Sequence, residues 1–374
     1  MKVPFYDAVR EYRLYKAEFD KAIADVIASG AFILGKQVQD FEEAICKYTG
    51  AKYAVGVANG SDALLIASDI LGYKHGAEIL TPVFTFFASA SCTARLNGKP
   101  VFCDVDEDTF CMNMKDAENR ITDKTKGILP VHLFLQTADM TACMELAQKH
   151  RLTVLEDAAE AFGMKTMHNG ECRHAGLIGD FGAFSFFPTK TLGGYGDGGM
   201  IVTNKEELYK KAKSYRTHGS TKKYHHDYIG FNSRLDTLQA AVLNVKLSRI
   251  DSAIQKRAGR AAQYREMLKD VTGIKLPIIK DDNKEVNYVF CIKAEKRDAL
   301  DEYLRSKEIG TSIYYPVPLH LQKCFDYLGY KKGDFPAAEK LCETVLALPM
   351  FPELTEDEVS FVCEKIKEFF QKIN

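Results

Sequence analysis

The sequence holds no surplus of charge: 50 Lys and Arg stand against 51 Asp and Glu over 374 residues. No run of like charge concentrates either sign, which argues against a polyanion such as nucleic acid as a partner. An apolar run long enough to span a bilayer is missing too, so no membrane is expected. Residues 1–9 have neither the basic start nor the hydrophobic stretch of a secretory signal. Cysteine occurs ten times but never as a C-x-x-C pair, so the thiols signal neither zinc nor a redox couple. Most lie in apolar stretches, where free Cys behaves as a small hydrophobe. So many loose thiols point to a reducing, cytoplasmic setting. Repeats, low-complexity tracts and long Pro/Gly/Ser linkers are also absent. What remains is a globular composition, 46% hydrophobic and 27% charged, on a chain long enough for a large domain and a smaller one.

Between about residues 50 and 205, short apolar runs alternate with longer helix-period segments. The runs 53–57, 78–80, 100–103, 127–131, 153–155, 183–187 and 200–202 are continuous, as strands buried on both faces are. Segments 61–71, 85–96 and 138–150 carry helical spacing. This rhythm predicts an α/β fold, with a large, mostly parallel seven-stranded sheet covered on both faces. Two amphipathic helices precede it, at 11–29 and 37–48. A helix at 206–215, a polar aromatic stretch at 216–236 and one long helix over 237–268 follow. The remainder, with a strand near 288–292 and helices near 298–307, 337–346 and 356–372, reads as a smaller α+β domain. We divide the chain at 1–250 and 251–374.

Three places carry chemistry. At 58–64 a strand ends, Gly60 turns the chain and a helix starts with Ser61 and Asp62. First-turn amides and the helix dipole would suit a phosphate there, although an ordinary helix cap would look the same. At 154–160 an apolar strand runs into Glu156 and Asp157, at the end where α/β sheets place ligands. An Asp capping the next helix would also explain it. The most telling feature is Lys190. It closely follows the buried run ending at Phe187 and leads into Gly193, Gly194, Gly196, Gly198 and Gly199.

A solvated lysine needs no such setting. A Schiff-base lysine does, because its amine must be partly desolvated to be neutral near physiological pH. Glycines let the backbone approach a flat cofactor. With Ser185 available to a phosphate, and Asp157 to a protonated ring nitrogen, the set points to pyridoxal phosphate (PLP). A tight structural turn is the alternative. Adjacent His225 and His226 do not share a helix face and have no third ligand at metal spacing, so a polar binding loop is preferred to a metal site.

Together these segments resemble the DegT-like sugar aminotransferases, a family of fold type I PLP enzymes. The resemblance runs through residues 30–35, 58–64, 81–88, 156–159, 184–199, 232–241, 315–320 and 348–352, in the family's order. It implies Lys190 as the Schiff-base residue, Asp157 facing the ring nitrogen and Phe86 stacked on the ring. Ser185 and the amides of Ser61 and Asp62 would hold the phosphate. Asn232 would reach the phosphate of a neighbouring subunit, giving a homodimer with shared sites. Glu160, where Gln or His is frequent, would lie close to cofactor and sugar, and Tyr315 and His320 would line the sugar-nucleotide cleft. Leu135 departs from the pattern, which commonly has Gly before the Gln.

Lys190 stands where dehydrating members usually have His, which favours transamination. The implied reaction moves an amino group from L-glutamate, through the pyridoxamine phosphate form, to the C3 ketone of a nucleotide-linked sugar. The wording at 195–199, 224–226 and 232–236 is similar to the C3 branch. There a UDP-2-acetamido-2-deoxy-3-oxo-glucuronate-like or a dTDP-3-oxo-6-deoxyhexose substrate is implied, in the service of lipopolysaccharide or O-antigen synthesis. Amination at C4 is the alternative within the family. A PLP-binding regulator without turnover, and a nucleotide-binding module without PLP, are the alternatives outside it.

Overall fold

The computed structural model describes residues 1–280 and 283–373. Seven strands form the main sheet: β1 (Tyr53–Val57), β2 (Glu78–Pro82), β3 (Lys99–Cys103), β4 (Thr125–Ile128), β5 (Thr153–Asp157), β6 (Phe181–Ser185) and β7 (Gly199–Thr203). Their order is β1-β7-β6-β5-β4-β2-β3. All neighbours are parallel except β7, which runs against both β1 and β6. The mostly parallel seven-stranded sheet is thus as expected from the apolar runs. Strands such as β2 and β7, buried along their whole length, need helices on both faces to keep water off them.

The helices are α1 (Ala8–Leu14), α2 (Lys16–Ser29), α3 (Lys36–Thr49), α4 (Gly60–Ile70), α5 (Ala88–Ala94), α6 (Met114–Asn119) and α7 (Met140–His150). After the sheet come α8 (Glu206–Tyr215), α9 (Thr237–Leu247), α10 (Ile250–Leu268), α11 (Arg297–Ser306), α12 (Pro336–Thr344) and α13 (Glu356–Ile373). Helix α4 packs on β6 and β7, α3 on β1, and α7 on β4 and β5. Two expected helices are each broken in two. Segment 11–29 divides at Tyr15, and 237–268 divides at Ser248 and Arg249. Of 85–96 only α5 is helical, and the apolar end of 337–346 opens a strand, Val345–Leu348, instead.

The C-terminal part adds a three-stranded antiparallel sheet, β8 (Ile274–Lys275), β9 (Phe290–Ala294) and β10 (Val345–Leu348). Its core is a separate apolar cluster built on Leu300, Leu346, Phe351 and Val362. Val3 is buried in that cluster and bridges to Ile309. A division at residue 250 therefore leaves the first residues packed on the far side of the cut.

The sheet positions the site by its carboxyl edge. Asp157 ends β5, Ser185 ends β6, and the α4 N-terminus faces them. The approach is close: a Cβ on Gly60 would meet the Ser185 Cβ at 2.7 Å.

Candidate active site

These elements open onto one cavity of about 570 Å³. Its lining includes Ser61, Asp62, Phe86, Asp157, Glu160, Ser185, Lys190 and Tyr315, residues that lie far apart in the sequence. At the α4 N-terminus the cap is Asn59, whose Oδ1 accepts from the Asp62 amide at 2.8 Å. The Asp62 amide is thus already engaged, while no acceptor among the described residues meets that of Ser61. The Ser185 hydroxyl accepts only a long, 3.3 Å bond from the Phe187 amide and keeps its proton to donate.

Asp157 is 4% exposed. Its Oδ2 accepts from the Ser89 hydroxyl at 2.7 Å and its Oδ1 from the Ala159 amide at 3.2 Å. Ser89 in turn contacts the Thr85 hydroxyl at 3.0 Å. Burial pushes the Asp157 carboxyl up, and the Ser89 and Ala159 donors, with the charge of Lys190, only partly offset this. A buried acid so placed gains by meeting a cation. The preceding Glu156 points the other way. It accepts from His132 Nε2 at 2.9 Å and from the amides of Gly176, Ile178 and Gly179. His132 Nδ1 accepts from the Ala138 amide at 3.1 Å, so its proton sits on Nε2. Burial would raise the Glu156 carboxyl, but His132 and the loop amides hold it below the usual range. Glu156 is therefore a clamp that fixes the end of β5 and the loop beside it.

Lys190 Nζ lies 3.1 Å from Glu160 Oε1 and 4.5 Å from the centre of the Tyr288 ring. The other Glu160 oxygen accepts from the Phe134 amide at 3.1 Å. Burial alone would lower the amine; the charge of Glu160 and then Tyr288 overcome it and hold it above the ordinary lysine range. Around Leu135 the chain turns tightly, but the positive φ of 60° falls on Phe134. Asn283 secures this turn, donating to Leu135 O at 2.8 Å and accepting from the Thr137 amide at 3.1 Å.

Two expected residues stand elsewhere. His320 does not line the cavity: it is 1% exposed, packs its ring on Phe335 and pairs with Glu339 at 3.1 Å. Glu339 and Phe335 supply the partners that bury it. Asn232 is exposed and outside the cavity of its own chain. Sequence reasoning passed over Ser89, Tyr288, Tyr314 and Arg95, although the last three line the cavity. Ser89 alone had a local signal, lying one helical turn after Thr85 on the same face.

An amine among buried walls, a buried acid one strand away, an aromatic ring at the mouth (Phe86, 57% exposed) and a hydroxyl beside a helix N-terminus fit PLP. Lys190 would carry the aldehyde carbon, Asp157 the ring nitrogen, and Ser185 with the Ser61 amide the phosphate.

Over residues 14–367 the chain matches the DegT/DnrJ/EryC1/StrS aminotransferase family. It is 45% identical over 373 residues to a pleiotropic regulatory protein of Geobacillus stearothermophilus, covering 99% of each chain. It is 39% identical over 365 residues to the UDP-N-acetyl-3-dehydro-alpha-D-glucosamine 3-aminotransferase of Acidithiobacillus ferrooxidans, covering 98% of this chain and 97% of that one. The crystal structure of DesV from S. venezuelae superposes with a TM-score of 0.96 at 38% identity, over 100% of both chains.

Proposed function

The chain belongs to the DegT/DnrJ/EryC1/StrS aminotransferase family, and from that premise we propose that it moves an amino group from L-glutamate to the C3 ketone of a nucleotide-linked sugar. PLP is its cofactor, as in the family. The observation that carries the reading is that Lys190, Asp157, Ser185 and the α4 N-terminus line one cavity. The name of the Acidithiobacillus relative supports amination at C3.

When bound, PLP supplies an electron sink for the carbanion left as a proton leaves the donor carbon. Asp157 keeps that sink effective by holding a proton on the ring nitrogen. Ser89 and Ala159 fix the carboxyl for this task. With PLP held in the cavity, Lys190 Nζ would serve as general base and then as general acid toward the donor carbon. Tyr288, Tyr314 and Tyr315 wall the amine from water. The same residues would serve the keto sugar, with Lys190 returning the proton.

We place Asn232 in the neighbouring subunit's site, which makes the active form a homodimer. Ten unpaired cysteines support a cytoplasmic setting, and an amino-sugar product would suit cell-surface polysaccharide synthesis. A second reading, a PLP-binding regulator without turnover, is favoured by the name of the 45% identical relative.

One experiment separates these. The absorbance of the PLP-loaded protein is followed as 3-amino and, separately, 4-amino nucleotide sugars are added, with glutamate as control. Loss of the yellow colour with a 3-amino sugar and with glutamate is the expected result. Loss with a 4-amino sugar alone would move the reaction to C4, and no response even to glutamate would leave the regulator.

A further inference from the structure

Glu160 lines the cavity, and its Oε1 is the carboxylate oxygen that meets the Lys190 amine. Both its oxygens are used. Oε1 faces Nζ at 3.1 Å while Oε2 accepts from the Phe134 amide at 3.1 Å. The second bond denies the side chain, 6% exposed, the freedom to swing away. Other titratable groups lie about the Lys190–Glu160 pair from several elements. Asp157 comes from the end of β5, Tyr288 from the segment before β9, Cys291 from β9, and Tyr314 and Tyr315 from the segment after α11. Burial drives Cys291, Tyr314 and Tyr315 far above their ordinary ranges, so they stay neutral. Asp157 is spoken for by Ser89 and, with cofactor present, by the ring nitrogen.

We propose that Glu160 is a positioning residue whose charge keeps the Lys190 nitrogen cationic, and so sets the pH at which that nitrogen gives up its proton. This holds both while the nitrogen is joined to PLP and after its release. A glutamine in the same place can still accept from Nζ through its single oxygen, but its NH2 group cannot accept from the Phe134 amide. E160Q therefore removes the charge and that anchor together, and E160D, which keeps the charge, separates the two. The inference rests on Lys190 carrying PLP and is independent of which sugar is aminated.

The readout is a pH titration of the absorbance of PLP-loaded wild type, E160Q and E160D, with no substrate added. An opposite charge at this range shifts a titration by ~1–3 units. E160Q should therefore lose its yellow protonated form at a pH lower by about that amount, whereas E160D, which keeps the charge, should move less. An E160Q midpoint equal to that of wild type, or an E160D midpoint displaced as far as that of E160Q, overturns the proposal. A second arm needs no cofactor: acylation of Lys190 by acetic anhydride, read by mass spectrometry across pH in the full chain. E160Q should react at lower pH than wild type, and coincident profiles overturn the proposal. If the wild-type protein fails to take up PLP, the functional reading falls while the acylation arm still decides the role of Glu160.

Discussion

At the scale of single residues, Lys190→Ala should keep the fold and lose turnover, read by circular dichroism beside a transamination assay; normal activity would refute its role. Asp157→Ala should slow both half-reactions by at least ~10²-fold, the range for losing a positioned electrostatic partner, in single-turnover kinetics. Ser89→Ala removes a donor that favours the Asp157 carboxylate. A bond to a charged acceptor is worth ~1.5–3 kcal/mol, so the Asp157 titration should move up by about one to two units. The sign follows from the lost donor, because the Ser89 bond lowers a carboxyl that burial raises. The acid limb of kcat/KM should shift to higher pH with it. Lys190 and Asp157 were legible because their signals are local, a glycine run and an acidic strand end. Tyr288 was not, since it reaches Lys190 only through the folding of a segment almost a hundred residues later. The surroundings of His320 were hidden for the same reason: its ring is turned to Glu339, nineteen residues on.

At the scale of elements, the junction of α4 and β6 is the tightest part of the site. Gly60→Ala would set its Cβ 2.7 Å from the Ser185 Cβ, and such overpacking costs ~1–3 kcal/mol. Denaturant unfolding should show that loss, and equilibrium dialysis should show weaker retention of PLP. Gly259, within α10 and with nothing inside 4 Å of its Cβ position, is the control. Gly259→Ala should gain about 1 kcal/mol from helix propensity. The strands were legible as apolar runs, and the broken helices were not, for one shared reason. Tyr15 interrupts the first helical pair and Arg249 the second, and the Arg249 guanidinium lies 4.4 Å from the Tyr15 ring centre. Arg249 also reaches back to Val245 O at 3.0 Å and pairs with Glu18 of α2. Each break supports the other across the fold, and no periodicity within either segment could announce it.

At the scale of the whole molecule, Asp108 ties the main sheet's side to the C-terminal sheet through Lys275 and Lys293. Those two lysines hold its carboxyl down at about 2. An unfolded Asp titrates near ~3.9. The linkage is therefore fully present above that pH and is lost as pH falls through about 2. With 42% of the Asp108 side chain exposed, solvent screening limits it to under ~1 kcal/mol. Asp108→Asn should lower Tm slightly at neutral pH, and the gap should close as the solution is acidified. For the dimer, mixing Lys190→Ala with Asn232→Ala chains should restore about a quarter of wild-type activity, because half of randomly paired two-fold dimers would hold one complete site. No restoration would confine Asn232 to its own chain.

The sheet order also has a temporal side. β1 lies at the sheet edge and pairs only with β7. On a ribosome the first strand is therefore made long before its sole neighbour, by on the order of ten seconds at ordinary elongation rates. Throughout that interval Tyr53–Val57 waits as an unpaired apolar edge. The antiparallel strand that breaks the parallel pattern is thus the latch that ends this exposure during synthesis.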